Sequence, residues 1–109
     1  MTYDESNIFA KILRKEIPCN VIAENLNALA FNDIAPAAPM HFLIIPKKSY
    51  QNYHDFISTA SRQEIIDLND LMNSLISKHN LHENGYRIIT NTGNDGNQEV
   101  KHLHFHLLG

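Results

Sequence analysis

The sequence predicts an α+β fold, a five-stranded antiparallel sheet carrying one long and one short helix, and three observations predict it. Residues 100–108 alternate apolar and imidazole side chains, and an extended strand turns that period of two into two chemically different faces. Ser61 with Glu64 forms a capping box, and the apolar stripe Ile65, Leu68, Met72, Leu75 and Ile76 follows it at helical spacing. The element order, a short helix, three strands, a long helix and two strands, is not a repeated βαβ array and leaves antiparallel pairing with one face of the sheet covered.

Ser6 is the expected cap of the first helix, whose apolar residues Ile8, Phe9, Ile12 and Leu13 share a stripe and which Pro18 ends. Cys19 to Glu24 and Ala28 to Asn32 read as strands joined across Asn25, Leu26 and Asn27, a hairpin spacing with turn-forming residues. Pro36 and Pro39 preclude a ladder after Asp33, so a stiff loop leads to the strand His41 to Ile45, which Pro46 stops. Tyr50 to Thr59 shows no decisive period and accommodates a single helical turn. The capped helix runs from Ser61 to near His79, and Gly85 permits a left-handed turn before a strand from Tyr86 to Thr90. Asn91 to Asn97 has turn chemistry throughout, and the last strand is expected from about Val100 to Leu108.

At 109 residues with 43% hydrophobic composition, the chain is expected to form a single domain over 1–109 with an ordinary core. Nine Lys and Arg against twelve Asp and Glu give a formal charge of -3, and the cations are scattered, which excludes a general nucleic-acid binder. One cysteine, Cys19, excludes an intrachain disulfide framework and a cysteine-rich zinc site, and it fits a reducing compartment. The start of the chain is polar and acidic, and the run Phe42 to Ile45 is too short for a membrane span or a signal segment. The expectation is a cytoplasmic protein with no membrane partner.

Seven histidines remain, three of them within five residues. His102, His104 and His106 fall on one strand face at about 7 Å spacing, with Leu103, Phe105 and Leu107 on the other. Three readings of that row are open. It is a polar solvated face, a position Thr, Lys or Glu would fill as well. It is a zinc or iron site, although the nearby carboxylate is Glu99 alone and no second histidine pair or cysteine stands beside it. Or it does chemistry at phosphorus: a largely neutral imidazole attacks a phosphoryl group while its neighbours position the phosphate and move the proton. His54, His79 and His82 read as surface residues. Asp33 beside the proline loop is a good acceptor for a ribose diol and also a common turn residue; a lone His41 heading an apolar strand is more often half-buried structure than site.

The pattern His-φ-His-φ-His-φ-φ at 102–108 stands with Phe31-Asn32-Asp33-Ile34-Ala35-Pro36, Pro39-Met40-His41-Phe42-Leu43-Ile44-Ile45-Pro46-Lys47-Lys48 and Gly85-Tyr86-Arg87-Ile88-Ile89-Thr90-Asn91. Together they resemble the histidine triad family, most closely its Hint branch of purine nucleoside phosphoramidases, from about Ile8 to Gly109. The resemblance implies that His104 is the nucleophile taking up a nucleotidyl group. It implies that His102 and His106 flank that ring and assist the leaving group, that His41 is the fourth imidazole, and that Asn91 supplies the amide near the phosphate. Asp33 matches the ribose-binding carboxylate. Ile8, Phe9, Ile17, Phe31, Ile34 and Leu43 match the apolar clamp around the base, and Asn97, Glu99 and Val100 the loop whose backbone approaches the phosphate. No metal or cofactor is implied. The implied partners are purine nucleoside monophosphates and their amides, and a second copy of the chain joined through the Ser61–His79 helix and the Gly85 strand. A nucleotide- or partner-binding module with vestigial hydrolysis, and a dinucleoside polyphosphate hydrolase of the same family, stay open. One departure bears on chemistry: family members commonly carry Ser where this chain has Glu99, and an acid repels a phosphate unless turned away or protonated. Because the sequence stops at Gly109, the tail that in relatives reaches the partner subunit is expected to be missing.

Overall fold

A computed structural model describes residues 2–109. Among them the chain order is α1 (Ile8–Leu13), β1 (Val21–Glu24), β2 (Ala28–Asn32), β3 (His41–Pro46), α2 (Tyr53–Thr59), α3 (Arg62–Lys78), α4 (Leu81–Asn84), β4 (Arg87–Ile89) and β5 (Phe105–Leu108). The five strands form one antiparallel sheet in the order β1-β2-β3-β5-β4, with β5 inserted between β3 and the edge strand β4. The α+β class and the five antiparallel strands are as the sequence predicts. Two further short helices, α2 and α4, accompany the expected pair. α2 is capped by Asn52, whose side chain accepts from Asp55 N–H, and it turns Phe56 into the core while Tyr53 and Ile57 stay exposed; a single inward residue leaves no readable period.

The period-two alternation of the strands divides the buried residues into two clusters. Ala28, Ala30, Phe42, Ile44, Phe105 and Leu107 face α3, packing on Leu68, Met72 and Leu75. Leu29, Phe31, Leu43 and Ile45 face the opposite way, onto Phe9 and Ile12 of α1. The sheet is therefore covered on both faces, not on one. α3 begins as expected: Ser61 Oγ accepts from Glu64 N–H at 3.1 Å and Glu64 accepts from Ser61 N–H at 3.1 Å, which satisfies two end donors reciprocally.

Several boundaries move, each for a local reason. Asn7, not Ser6, caps α1, its Oδ1 accepting from Ala10 N–H at 2.9 Å, while Ser6 hydrogen-bonds to Asp4. β1 begins at Val21, because Cys19 turns toward the α1 cluster. β5 begins at Phe105 rather than near Val100, because the preceding backbone finds partners outside the ladder: Leu103 N–H donates to the Tyr50 carbonyl at 2.8 Å, and the His104 carbonyl accepts from Thr90 Oγ1 at 2.9 Å. The same bond draws Thr90 out of β4, which is Arg87–Ile89. Gly85 has φ +103°, the conformation for which a glycine was expected there. His79, expected at the surface, closes α3 half-buried with its ring 5.0 Å from that of Phe42.

Candidate active site

The face of the sheet that carries α1 opens into a cavity of about 730 Å³, the size range of a small-molecule site. Its floor is Phe31 and Leu43 of the sheet, its α1 side Ile8 and Phe9, and Ile17 also lines it. Asp33 and Ile34 stand at the start of the proline loop, and Asn91, Asn97, Glu99 and Val100 enter from the loop between β4 and β5. The cavity thus gathers every residue that the resemblance assigned to base, ribose or phosphate. It also takes in Ile12, Pro18, Cys19, Asn20, Asn32 and Ala35, which the sequence reading did not assign to the site. Their signal was present in the α1 stripe and in the segments flanking expected strands, but nothing in the sequence says which side of a loop faces a cleft.

The four imidazoles divide into two that line the cavity, His104 and His106, and two that stand behind them, His102 and His41. Register explains the grouping. β3 and β5 pair Leu43 with His106 and His41 with Leu108, which puts His41 and His106 at diagonal positions on one face. His104 continues that face beyond the ladder, its ring 5.1 Å from that of His106 and 4.9 Å edge-on from Phe9.

Hydrogen-bond partners assign each tautomer. His104 Nδ1 lies 2.8 Å from the His102 carbonyl, which can only accept, so Nδ1 carries the proton and Nε2 keeps its lone pair. His102 is fully buried, with Nε2 donating to the Pro46 carbonyl at 2.9 Å and Nδ1 accepting from the Tyr3 hydroxyl. With both ring nitrogens occupied inside the protein, His102 presents its carbonyl to His104 and has no ring donor left for the leaving group the resemblance implied. His41 Nδ1 accepts from Ala37 N–H at 3.0 Å, so its Nε2–H donates to His106 Nδ1 at 2.8 Å, and neutral His106 then carries its proton on Nε2. Asp33 Oδ2 lies 3.4 Å from His41 Nε2, while Asp33 Oδ1 accepts from Ala35 N–H at 2.8 Å.

Burial pushes the pKa values of His102, His104 and His106 down. Desolvation takes His102 to about 4, offset in part by its bond to Pro46; it lowers His104 as well, and lowers His106 with help from its neighbours His104 and His41. The pocket-lining rings are therefore neutral at pH 7, as a nucleophile with a free nitrogen requires. The donor atoms of Asp33, His41 and His106 lie within 4.8 Å of one another, the reach of a single cation, whereas the row His102, His104 and His106 does not converge on one point. Glu99 lines the cavity and is exposed, and its charge, with that of Asp33, acts against the burial that lowers His104 and His106.

The loop from Asn91 to Val100 is held by Asn91 itself and by Gln98, which the sequence reading passed over. Gln98 is buried, accepts from Gly93 N–H at 3.1 Å and donates to the Gln51 and Val100 carbonyls at 2.7 and 2.9 Å. Asn91 Nδ2 donates to the Gly96 carbonyl at 2.8 Å, and a Cβ at Gly96 would stand 2.2 Å from the Thr92 carbonyl oxygen, so that position has no room for a side chain.

Fold and site together define a protein in which neutral imidazoles line a largely apolar cleft of small-molecule size. Residues 14–109 match the HIT domain, and the chain belongs to that family. It is 48% identical over 106 residues to a 13.2 kDa HIT-like protein of Azospirillum brasilense, covering 97% of this chain and 87% of that one. It is 39% identical over 105 residues to the purine nucleoside phosphoramidase of Escherichia coli, covering 96% and 87%. The solved structure of a HIT family hydrolase from Legionella pneumophila superposes with a TM-score of 0.87 at 40% identity, covering 95% and 92%. The likeness is thus to HIT-family hydrolases. No helix among the described residues is long and apolar enough to cross a membrane.

Proposed function

We propose that this chain hydrolyses the P–N bond of purine nucleoside 5'-phosphoramidates through a covalent nucleotidyl-histidine, with His104 rather than a metal ion supplying the nucleophile. The observation that carries the reading is the assignment of the His104 proton to Nδ1, which leaves Nε2 unprotonated in a ring that lines the cavity. The purine lies between Ile8, Phe9, Ile17, Phe31 and Leu43, and Asp33 accepts from the ribose hydroxyls. The phosphate sits against His104 and His106, near Asn91 and the backbone of Asn97 to Val100.

In the first step the His104 Nε2 lone pair forms a bond to phosphorus and the P–N bond of the substrate breaks. The leaving nitrogen departs as an amine, its proton drawn from water beside the exposed Glu99. His106 Nε2–H donates to a phosphoryl oxygen and stabilises the charge that develops there. His41 holds His106 in the tautomer that can do so. In the second step water attacks phosphorus, the bond to His104 breaks, and the monophosphate leaves with the water's proton returned to solvent.

The name of the E. coli relative supports the substrate class. The reading is tested with adenosine 5'-phosphoramidate and the full chain: multiple-turnover release of AMP is expected, and micromolar binding of AMP without turnover would instead favour a binding module. The proposal includes a cytoplasmic homodimer. Its support is the edge strand β4, where Ile88 is 46% exposed, beside the exposed Tyr86. Sedimentation at micromolar concentration should give twice the chain mass, and a monomer mass would remove the dimer from the account.

A further inference from the structure

The N-terminal segment lies before the region matched to the HIT domain, yet it reaches the buried end of the histidine row. Asn7 does two things at once. Its Oδ1 caps α1 by accepting from Ala10 N–H, and its Nδ2 donates to the Tyr3 hydroxyl at 2.9 Å and to the Asp4 carbonyl at 2.8 Å. The Tyr3 hydroxyl hydrogen-bonds to His102 Nδ1, and the Tyr3 ring meets the His102 ring edge-on with centroids 5.7 Å apart. Since His102 Nε2–H faces the Pro46 carbonyl, Nδ1 has a lone pair, and the phenol is its donor. Burial raises the Tyr3 phenol above its ordinary value, so it stays protonated and able to donate. The next bond in line is His104 Nδ1–H to the His102 carbonyl. A directed chain therefore runs from the cap of α1 through Tyr3 and His102 to His104. Phe9, the second residue of the same helix, meets the rings of both His102 and His104 edge-on.

We propose that Tyr3 is a positioning residue for His104. By holding the His102 ring between the N-terminal segment and Pro46, it keeps the His102 carbonyl aimed at His104 Nδ1 and so keeps Nε2 of His104 free toward the cavity. Without the hydroxyl, a fully buried nitrogen loses its partner, and the His102 ring and peptide relax to find another. The effect on kcat rests on the proposed function of His104; the bond chain does not.

The test uses the full chain with Tyr3→Phe and Asn7→Asp. The second variant keeps a good helix cap but offers Tyr3 a carboxylate that competes for its proton. Both are expected to lower kcat on adenosine 5'-phosphoramidate five- to twentyfold while KM and AMP affinity stay within twofold. In nitrogen-15 spectra of the imidazoles, the His102 Nδ1 resonance should lose its hydrogen-bonded position and His104 should become a mixture of tautomers. An unchanged kcat, a loss of affinity matching the loss of rate, or wild-type ring shifts at His104 in both variants would overturn the proposal. If the unmodified protein does not turn over the phosphoramidate, the functional reading fails by itself, and the ring spectra still decide the part assigned to Tyr3.

Discussion

The two faces of the sheet are built from the same strands and bury their side chains to a similar degree, yet they are different materials. On the α3 face, Phe42, Ile44, Leu103 and Leu107 meet Leu68, Leu75 and Phe56 with almost no exposed surface, and those contacts have no direction. On the α1 face, His41, His102 and His104 are 7%, 0% and 7% exposed, but every ring nitrogen with a named partner has one that fixes a proton. The comparison teaches that burial performs two tasks in one short segment. Residues 103, 105 and 107 use it for cohesion, and residues 102, 104 and 106 use it to select tautomers and hold imidazoles neutral.

The sharpest way to separate the faces is His104→Ala, which should lower turnover by at least about 10⁴-fold, some 5.5 kcal/mol at about 1.4 kcal/mol per tenfold, while AMP binding persists in calorimetry. The converse break is Leu75→Ala on the α3 face: it should cost about 3 kcal/mol in urea unfolding and leave kcat of the folded protein unchanged. Acid probes chiefly the α1 face; Glu64 at the start of α3, whose hydrogen bonds from Tyr50 and Ser61 outweigh burial and lower its pKa, adds a smaller loss at lower pH. The pKa of His102 is about 4 in the fold against an ordinary 6.5, so the unfolded chain takes up that proton first as pH falls. The stabilisation is fully present above about pH 6.5 and is lost progressively down to about pH 4, a change of about 3 kcal/mol, to which the lowered His104 and His106 add in the same direction. Unfolding midpoints at pH 7 and pH 4.5 should show that loss, and His102→Phe should reduce it. The smallest effect expected is Asp33→Asn, which should weaken AMP about tenfold and leave the affinity of a 2',3'-dideoxy analogue within twofold.

The legibility of each face in the sequence follows the range of the interactions that make it. The alternation at 102–108 is covalent geometry, so the division of imidazole and apolar faces was readable, and the capping box named the start of α3 because both its partners lie within four residues. The family pattern led to most of the lining of the cavity but not to Ile12, Pro18, Cys19, Asn20, Asn32 or Ala35. What the sequence left dark depends on distant partners. Tyr3 meets His102 across 99 positions, and no local period marks it. His102 reads as a third site imidazole, and the carbonyl of Pro46 turns it inward. The early end of the β5 ladder depends on Tyr50 and Thr90, and α2 has one buried residue where a period needs several. His79 sits at a helix end that looked solvent-facing and is covered because Phe42 stands beneath it.

The central claim is that a neutral, carbonyl-oriented His104 takes up the nucleotidyl group. Rapid quenching of the full chain with excess adenosine 5'-phosphoramidate at neutral pH, followed by intact-mass and peptide analysis without acid, tests it most directly. The account predicts one adenylyl group per active site, carried on His104 and formed faster than turnover. AMP release with no adduct at any time, or an adduct on a residue other than His104, would contradict it.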